Sequence, residues 1–308
     1  MLLYERFDKL APNVIIGIWK EEQEIYKSDK ADHYVRIGSI TKIFTAIVIK
    51  KLAMEGQIHL DDSARIYLDF DLPSDITIEH LVTMSSGIPD YNSSDTFLSA
   101  CMVNPELEWN PKQLIDIALK SPMKFKPGEK QMFSNTNYII LGLILEFVTE
   151  KSLEELYSEY ILRPLKMNST FLPSFCILPE PYLEGFQYVN KELKNVTKCH
   201  PSMAWSSGGL VSTLNDLSIL AHELKNLLPF GKEIYGFGVG KFGDYYGHTG
   251  NFPGYSTILL VHPEKNIVIV ILTNLKQTFD GMIPADIIAN ELMKEFDIKT
   301  SKLEHSTI

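Results

Sequence analysis

The sequence predicts an α/β fold of the α+β kind, in which one antiparallel sheet is made from both chain ends, flanked by helices, and interrupted by an inserted, mainly helical domain. Dense apolar runs rich in β-branched residues lie near both termini, and the stretches between them carry helical periodicity. A two-stranded sheet is marginal on its own, so the terminal strands need one another. The expected boundaries are 1–60 with 206–308 for a discontinuous α/β domain and 61–205 for the helical insertion, with a cleft between them. A chain of 308 residues is long enough for two packed units.

In chain order, residues 13–19 read as a strand, 20–23 as a turn and 24–27 as the return strand. Residues 40–54 carry a helical pattern, with Ser39 or Thr41 near the start and Gly56 as the stop. Further helices are expected at 76–84, 111–118, 137–148 and 153–161. The turn-rich segment 171–198, with Pro173, Pro179 and Pro181, reads as a long surface excursion. A helix follows at 214–227. The glycine-rich stretch 236–240 lacks the downstream Lys-Ser/Thr of a phosphate loop and reads as a strand or turn. Residues 255–261 and 267–272 are strands separated by a turn at 262–266, and 284–296 closes the chain as a helix.

The formal charge of −10 leaves no excess of cations to neutralise phosphates, which argues against broad nucleic-acid binding. Cys101, Cys176 and Cys199 are too few for a disulfide scaffold, fit no short zinc spacing and read as buried structural thiols. His80, His200, His222 and His262 have no compact ligand spacing, so neither metal nor cofactor is expected. No apolar run approaches the length that spans a membrane. Residues 1–8 meet charge too early for a signal peptide, which implies a cytoplasmic protein if the chain is complete and an extracytoplasmic one if a leader was removed.

The leading chemical feature is Ser39-Ile40-Thr41-Lys42 at the mouth of an apolar helix. Residues three apart share a helix face, so Ser39 and Lys42 can point into one space. The helix start favours developing negative charge at Ser39. The apolar run after Lys42 predicts a poorly hydrated amine, and a neutral amine can take the serine proton. Taken alone, the same four residues also describe an N-cap serine followed by a surface lysine.

Several segments in fixed order extend the reading: Ile37 through Thr45, Gly56 through Asp62, Ile76 through Ile88, Phe125 through Glu129, Phe133 through Tyr138, Pro164 through Met167, Ser207 through Thr213 and Gly247 through Tyr255. In these segments the chain resembles the serine beta-lactamase-like family, which includes class C beta-lactamases, D-alanyl-D-alanine carboxypeptidases, D-aminopeptidases and related esterases. The resemblance runs from about Asn13 to Asn274 and implies a beta-lactamase/transpeptidase-like fold. It implies that Ser39 is the acylated nucleophile and Lys42 its proton-handling partner. It also implies that Asn135 contacts substrate or holds Lys42, and that His248-Thr249-Gly250 is the third motif on a strand lining the cleft. His248 stands where penicillin-binding members carry lysine and is expected to donate to substrate while titrating near neutral pH. Thr249 and Gly250 are expected to let substrate approach the strand, and the backbone amides of Ser39 and Asn251 to form the oxyanion hole.

The sequence departs from the family at Phe133-Ser134-Asn135, where Tyr-x-Asn is expected. Phe133 keeps the ring and loses the hydroxyl that relays a proton. Tyr138 is no obvious replacement, and Tyr91, Tyr245, Tyr246 and Tyr255 are better placed to rim a cleft. The expected substrates are a small ester, a D-amino-acid amide or a peptide, with slow formation of a covalent beta-lactam adduct. The alternative is a catalytically weakened ligand-binding or penicillin-binding protein of the same fold.

Overall fold

The computed structural model describes residues 6–231 and 233–296, so the reading of residues 1–5 as part of a non-signal N-terminus lies outside the described residues. The chain opens with β1 (Val14–Lys20) and β2 (Gln23–Lys27), then β3 (Val35–Arg36) and α1 (Thr41–Met54). The insertion carries α2 (Ile78–Val82), α3 (Asp95–Val103), α4 (Pro111–Leu119), α5 (Asn135–Thr149), α6 (Leu153–Tyr157) and α7 (Arg163–Leu165). The hairpin β4 (Phe186–Val189) and β5 (Glu192–Asn195), α8 (Trp205–Gly208), β6 (Val211–Ser212) and α9 (Leu214–Leu227) follow. The chain ends with β7 (Gly240–Phe242), β8 (Tyr245–Phe252), β9 (Tyr255–His262), β10 (Ile267–Thr273) and α10 (Pro284–Glu295).

Among the described residues, six strands form one antiparallel sheet in the order β2-β1-β10-β9-β8-β7, so the two chain ends meet where β1 pairs with β10. The β1–β2 connection is tight because Glu21 and Glu22 both adopt positive φ, 52° and 66°, which matches the twist of a two-residue hairpin. Both faces of the sheet are covered, which is why its strands read as unbroken apolar runs. Ile15, Leu259, Val270 and Leu272 join the core under α9, while Ile16, Ile18, Ile258 and Ile269 join a second core under α10. The alternation is the two-residue period of a strand.

Helix α1 is buried at every residue from Thr41 to Ile49 and packs against α5, α6, α8 and β8. It is apolar around its whole circumference because it runs through the middle of the molecule rather than along the surface.

Some readings need correction. The excursion 171–198 contains the β4–β5 hairpin, docked through Phe186 N donating to Asn274 O at 3.0 Å. The expected helix 153–161 is α6 followed by a π turn at Ser158–Leu162 and α7. Helix α3 and strands β7 and β8 were not separately anticipated from periodicity. Cys199 is buried, but Cys101 and Cys176 are half-buried, and all three are free thiols. Among the described residues no group of side chains could hold a metal ion, and no helix is long and apolar enough to cross a membrane.

Candidate active site

Ser39 sits in a single 3-10 turn, Gly38–Ile40, immediately before α1. That turn is held on two sides. Gly38 has φ +52°, and a Cβ there would stand 2.5 Å from Asn251 N on β8, so only glycine fits. Thr41 Oγ1 donates to Gly38 O at 2.7 Å and accepts from Leu210 N at 3.1 Å. The serine is left half-buried at the wall of a cavity of about 1280 Å³, which Phe133, Asn135, His248, Thr249 and Asn251 also line.

Lys42 is 0% exposed, which excludes the surface-lysine reading. Its Nζ lies 2.8 Å from Ser39 Oγ, 2.7 Å from Asn135 Oδ1 and 2.7 Å from Ser207 O on α8. Burial lowers its pKa from 10.5 to about 7, against the opposing pull of the Asp90 carboxylate. A neutral amine has two N–H donors and one lone pair. Asn135 Oδ1 and Ser207 O can only accept, so they take both N–H groups and the lone pair faces the Ser39 hydroxyl. The Asn135 amide cannot turn over, because its Nδ2 donates to Asp90 Oδ2 at 3.0 Å and its backbone N donates to Asp90 Oδ1 at 3.2 Å. Asp90 therefore fixes the direction of the lysine lone pair through Asn135.

Two rings line the amine. The centroids of Phe133 and Tyr138 lie 4.7 and 5.6 Å from Lys42 Nζ. The Tyr138 hydroxyl donates to Val82 O at 2.9 Å, and its anchoring there leaves the Phe133 position without a substitute hydroxyl.

His248 lies on β8, but its surroundings differ from the expectation of a titrating donor. Burial, and then the charge of Lys42, hold its pKa down to about 3, so the ring is neutral across ordinary pH. Nδ1 lies 2.5 Å from Thr249 O, a carbonyl that only accepts, which places the proton on Nδ1. Nε2 then accepts from the Tyr235 hydroxyl at 3.1 Å. Gly250 also differs from its expected use. A Cβ on it would lie 2.1 Å from Ile37 O and 2.2 Å from Thr257 Oγ1, so its missing side chain makes room for the serine turn rather than for substrate. Thr249 is half-buried and faces the cavity wall. Asn251 brings its backbone beside Gly38, with its side chain exposed.

Of the tyrosines considered from sequence, Tyr91 lines the cavity and donates to Met203 O at 2.7 Å. Tyr245 and Tyr255 are fully buried elsewhere, and Tyr246 stacks on Phe230 at 4.6 Å. Sequence reasoning missed Asp90, Ser207 as a carbonyl acceptor, and Tyr235. Asp90 had one available signal: it directly follows the turn-forming Gly87-Ile88-Pro89 at the end of one of the family-like segments.

A hydroxyl held by a buried lysine at a helix mouth, facing an antiparallel strand across a cleft, defines the serine–lysine class of beta-lactamase and penicillin-binding folds. A family model described as Beta-lactamase matches residues 7–292, and the chain belongs to that family. It is similar to Protein flp of Staphylococcus aureus, at 26% identity over 83% of this chain and 56% of the relative, so the chain spans about half the length of that curated relative. Among solved structures it is similar to a D-stereospecific amidohydrolase from Streptomyces sp., with TM-score 0.81, 24% identity and coverage of 89% and 94% of the two chains. The D-amino acid amidase from Ochrobactrum anthropi SV3 complexed with D-phenylalanine superposes with TM-score 0.80, at 20% identity over 96% of both chains.

Proposed function

We propose that the chain is a serine hydrolase that works by acyl transfer through an ester on Ser39. The observation that carries this reading is the Lys42 amine, fully buried, directed at Ser39 Oγ at 2.8 Å and poised with a pKa of about 7. Lys42 takes the hydroxyl proton as Oγ attacks the substrate carbonyl. The amides of Ser39 and Asn251 receive the charge that develops on the carbonyl oxygen, a contribution on the order of 3–4 kcal/mol per donor in comparable sites. The alkoxide, or an amine that takes the proton back from Lys42, leaves, and Lys42 then takes a proton from the water that attacks the ester and returns one to Ser39 Oγ as the acid departs.

Phe133 bears on the substrate. An amide nitrogen must be protonated to leave, whereas an ester oxygen needs less help, so the absent hydroxyl favours small esters over D-amino-acid amides and peptides. The structural likeness to D-specific amidases keeps D-amino-acid derivatives on the substrate panel. A beta-lactam can trap Ser39 through the first half-reaction alone. Phe133 also favours a second reading, a ligand-binding protein of this fold with weakened catalysis.

Intact-mass measurement after exposure to an activated ester, a beta-lactam and a fluorophosphonate separates the two. Labelling confined to Ser39, lost in Ser39→Ala, together with ester turnover, is the expected result. No labelling and no turnover across the panel would leave the binding protein.

A further inference from the structure

Helix α3 is mostly apolar, yet of its nine residues only Phe97 is buried. Leu98 is 45% exposed, Met102 83% and Val103 86%. Single exposed apolar side chains are ordinary on a protein surface, but these are not scattered. Leu98, Cys101 and Met102 stand at i, i+3 and i+4 on one face of the helix, and all three line the active-site cavity. Phe97 roots the helix beside the reacting residues, its ring packed edge to face on Tyr91 at 5.0 Å. The Tyr91 hydroxyl donates to Met203 O, just ahead of α8 and the Ser207 carbonyl that accepts from Lys42.

Val196, Cys199 and Met203 line the same cavity, and the segment that carries them is tied to the chain just after α3. His200 N donates to Pro105 O at 2.9 Å, and Trp109 N donates to Ser202 Oγ at 2.8 Å. Together the two segments make an apolar arm whose lining residues include no charged side chain. The charged lining residues, Asp90, Lys124, Lys241, Lys276 and Asp286, come from other parts of the chain. Burial raises the Cys101 and Cys199 thiols, which keeps both neutral. The backbone of the arm is engaged as well. Pro105 O and Met203 O accept the bonds already given, Val196 N donates to Gly185 O at 2.8 Å, and Cys199 N donates to Val196 O at 3.4 Å. A peptide laid here would bury its own N–H and C=O groups against groups already paired, at a cost in free energy, whereas an alkyl chain brings no such groups. The whole cavity, at about 1280 Å³, is also larger than the ~300–1,000 Å³ that encloses a drug-sized ligand.

We propose that this arm is a subsite for a straight alkyl chain on the substrate, which lies along Leu98 and Met102 while the ester group faces Ser39. The inference rests on the acyl-transfer reading only in calling the ligand an ester. Leu98 and Met102 gain in the complex the apolar cover that they lack in the free protein, and removal of that surface from water supplies the affinity. The chain has the same chemistry whether it belongs to the acyl or the alcohol half of the ester, and the two halves are told apart by experiment.

The test uses the Ser39→Ala protein, which binds without turnover. Calorimetric titration follows two series of soluble esters, methyl esters from acetate to octanoate and acetate esters from methyl to octyl, beside acetylated peptide methyl esters of matched length. In one of the two alkyl series affinity is expected to rise about threefold per methylene, a little below full burial because the mouth of the arm is open. The series that shows the rise assigns the chain to the acyl or the alcohol half. Leu98→Gln with Met102→Gln should cut the total gain about tenfold or more. Val103→Gln, on the same helix but away from the cavity, should leave it unchanged. Affinity that does not rise with chain length in either series overturns the subsite, even if the double variant does not fold. A gain that survives the double variant overturns it too, as do peptide esters that bind as tightly as the alkyl esters of their length. Because the readout is binding, it stands whether or not the wild-type chain hydrolyses esters, and labelling of Ser39 separately decides the acyl-transfer reading.

Discussion

At Lys42 the protein holds an amine with a pKa of about 7 next to the hydroxyl it is proposed to deprotonate, and the sign of the pH dependence follows. Below that value Lys42 is an ammonium with no lone pair, and above it the amine is free to accept. Acylation of Ser39 should therefore fall roughly tenfold per unit as pH drops below about 7 and level off above it. Stopped-flow acylation between pH 5 and 10 checks this, and a rate indifferent to pH across 6–8 would remove Lys42 as the base. Phe133 offers a second test at the same scale. Its ring is half-buried in the cavity wall, so the hydroxyl of Phe133→Tyr would enter the cavity and not a dry core. Ester turnover is expected to rise about 3–30-fold, below the full range of general acid–base assistance, because the pocket is built around phenylalanine. An unchanged rate in a stable variant whose hydroxyl faces Ser39 would mean that no proton carrier is missing.

At the scale of elements, the site depends on how closely β8 approaches the turn that carries Ser39. Gly250 fills that role, since a methyl group there would meet Ile37 O at 2.1 Å. Gly250→Ala should push the two backbones apart, costing about 1–3 kcal/mol of stability and reducing Ser39 acylation more than tenfold. Urea unfolding and labelling rates measure the two effects, and normal acylation in Gly250→Ala would show that the approach of β8 is dispensable. The same elements show what the sequence made legible. Strands β1, β9 and β10 stood out because burial on both faces wrote them as apolar runs, and α1 stood out for the same reason. Strand β8 was hidden to periodicity because Gly247, Thr249, Gly250 and Asn251 are small or polar, chosen for close approach and cavity lining. Ser39, Lys42 and Asn135 could be placed together by family likeness. Asp90 and Tyr235 could not, because they act through contacts 45 and 13 residues away in sequence. The neutral state of His248 was equally out of reach, as it depends on burial that no single residue type reports.

Across the whole molecule, the position of α1 joins stability to chemistry. The helix runs between the sheet and the helical insertion, so the Lys42 amine in its first turn is carried into the interior. Unfolding returns that amine to water and to a pKa near 10.5, whereas folding holds it near 7. Between those values the unfolded chain binds one proton that the folded chain does not, so this group makes stability rise with pH across that window. The largest slope one group can give is about 1.4 kcal/mol per pH unit. Lys42→Met removes the titrating group, so unfolding free energies at pH 7, 8 and 9 should climb less steeply in the variant than in the parent by up to that amount. The difference between the two proteins is the proper readout, since the remaining titrating groups are common to both. Acylation should be lost in the same variant, while binding of uncharged esters persists. Parallel stability curves for parent and variant would show that Lys42 is already an ordinary charged lysine in the folded protein, and the base assigned to Ser39 would fall with it.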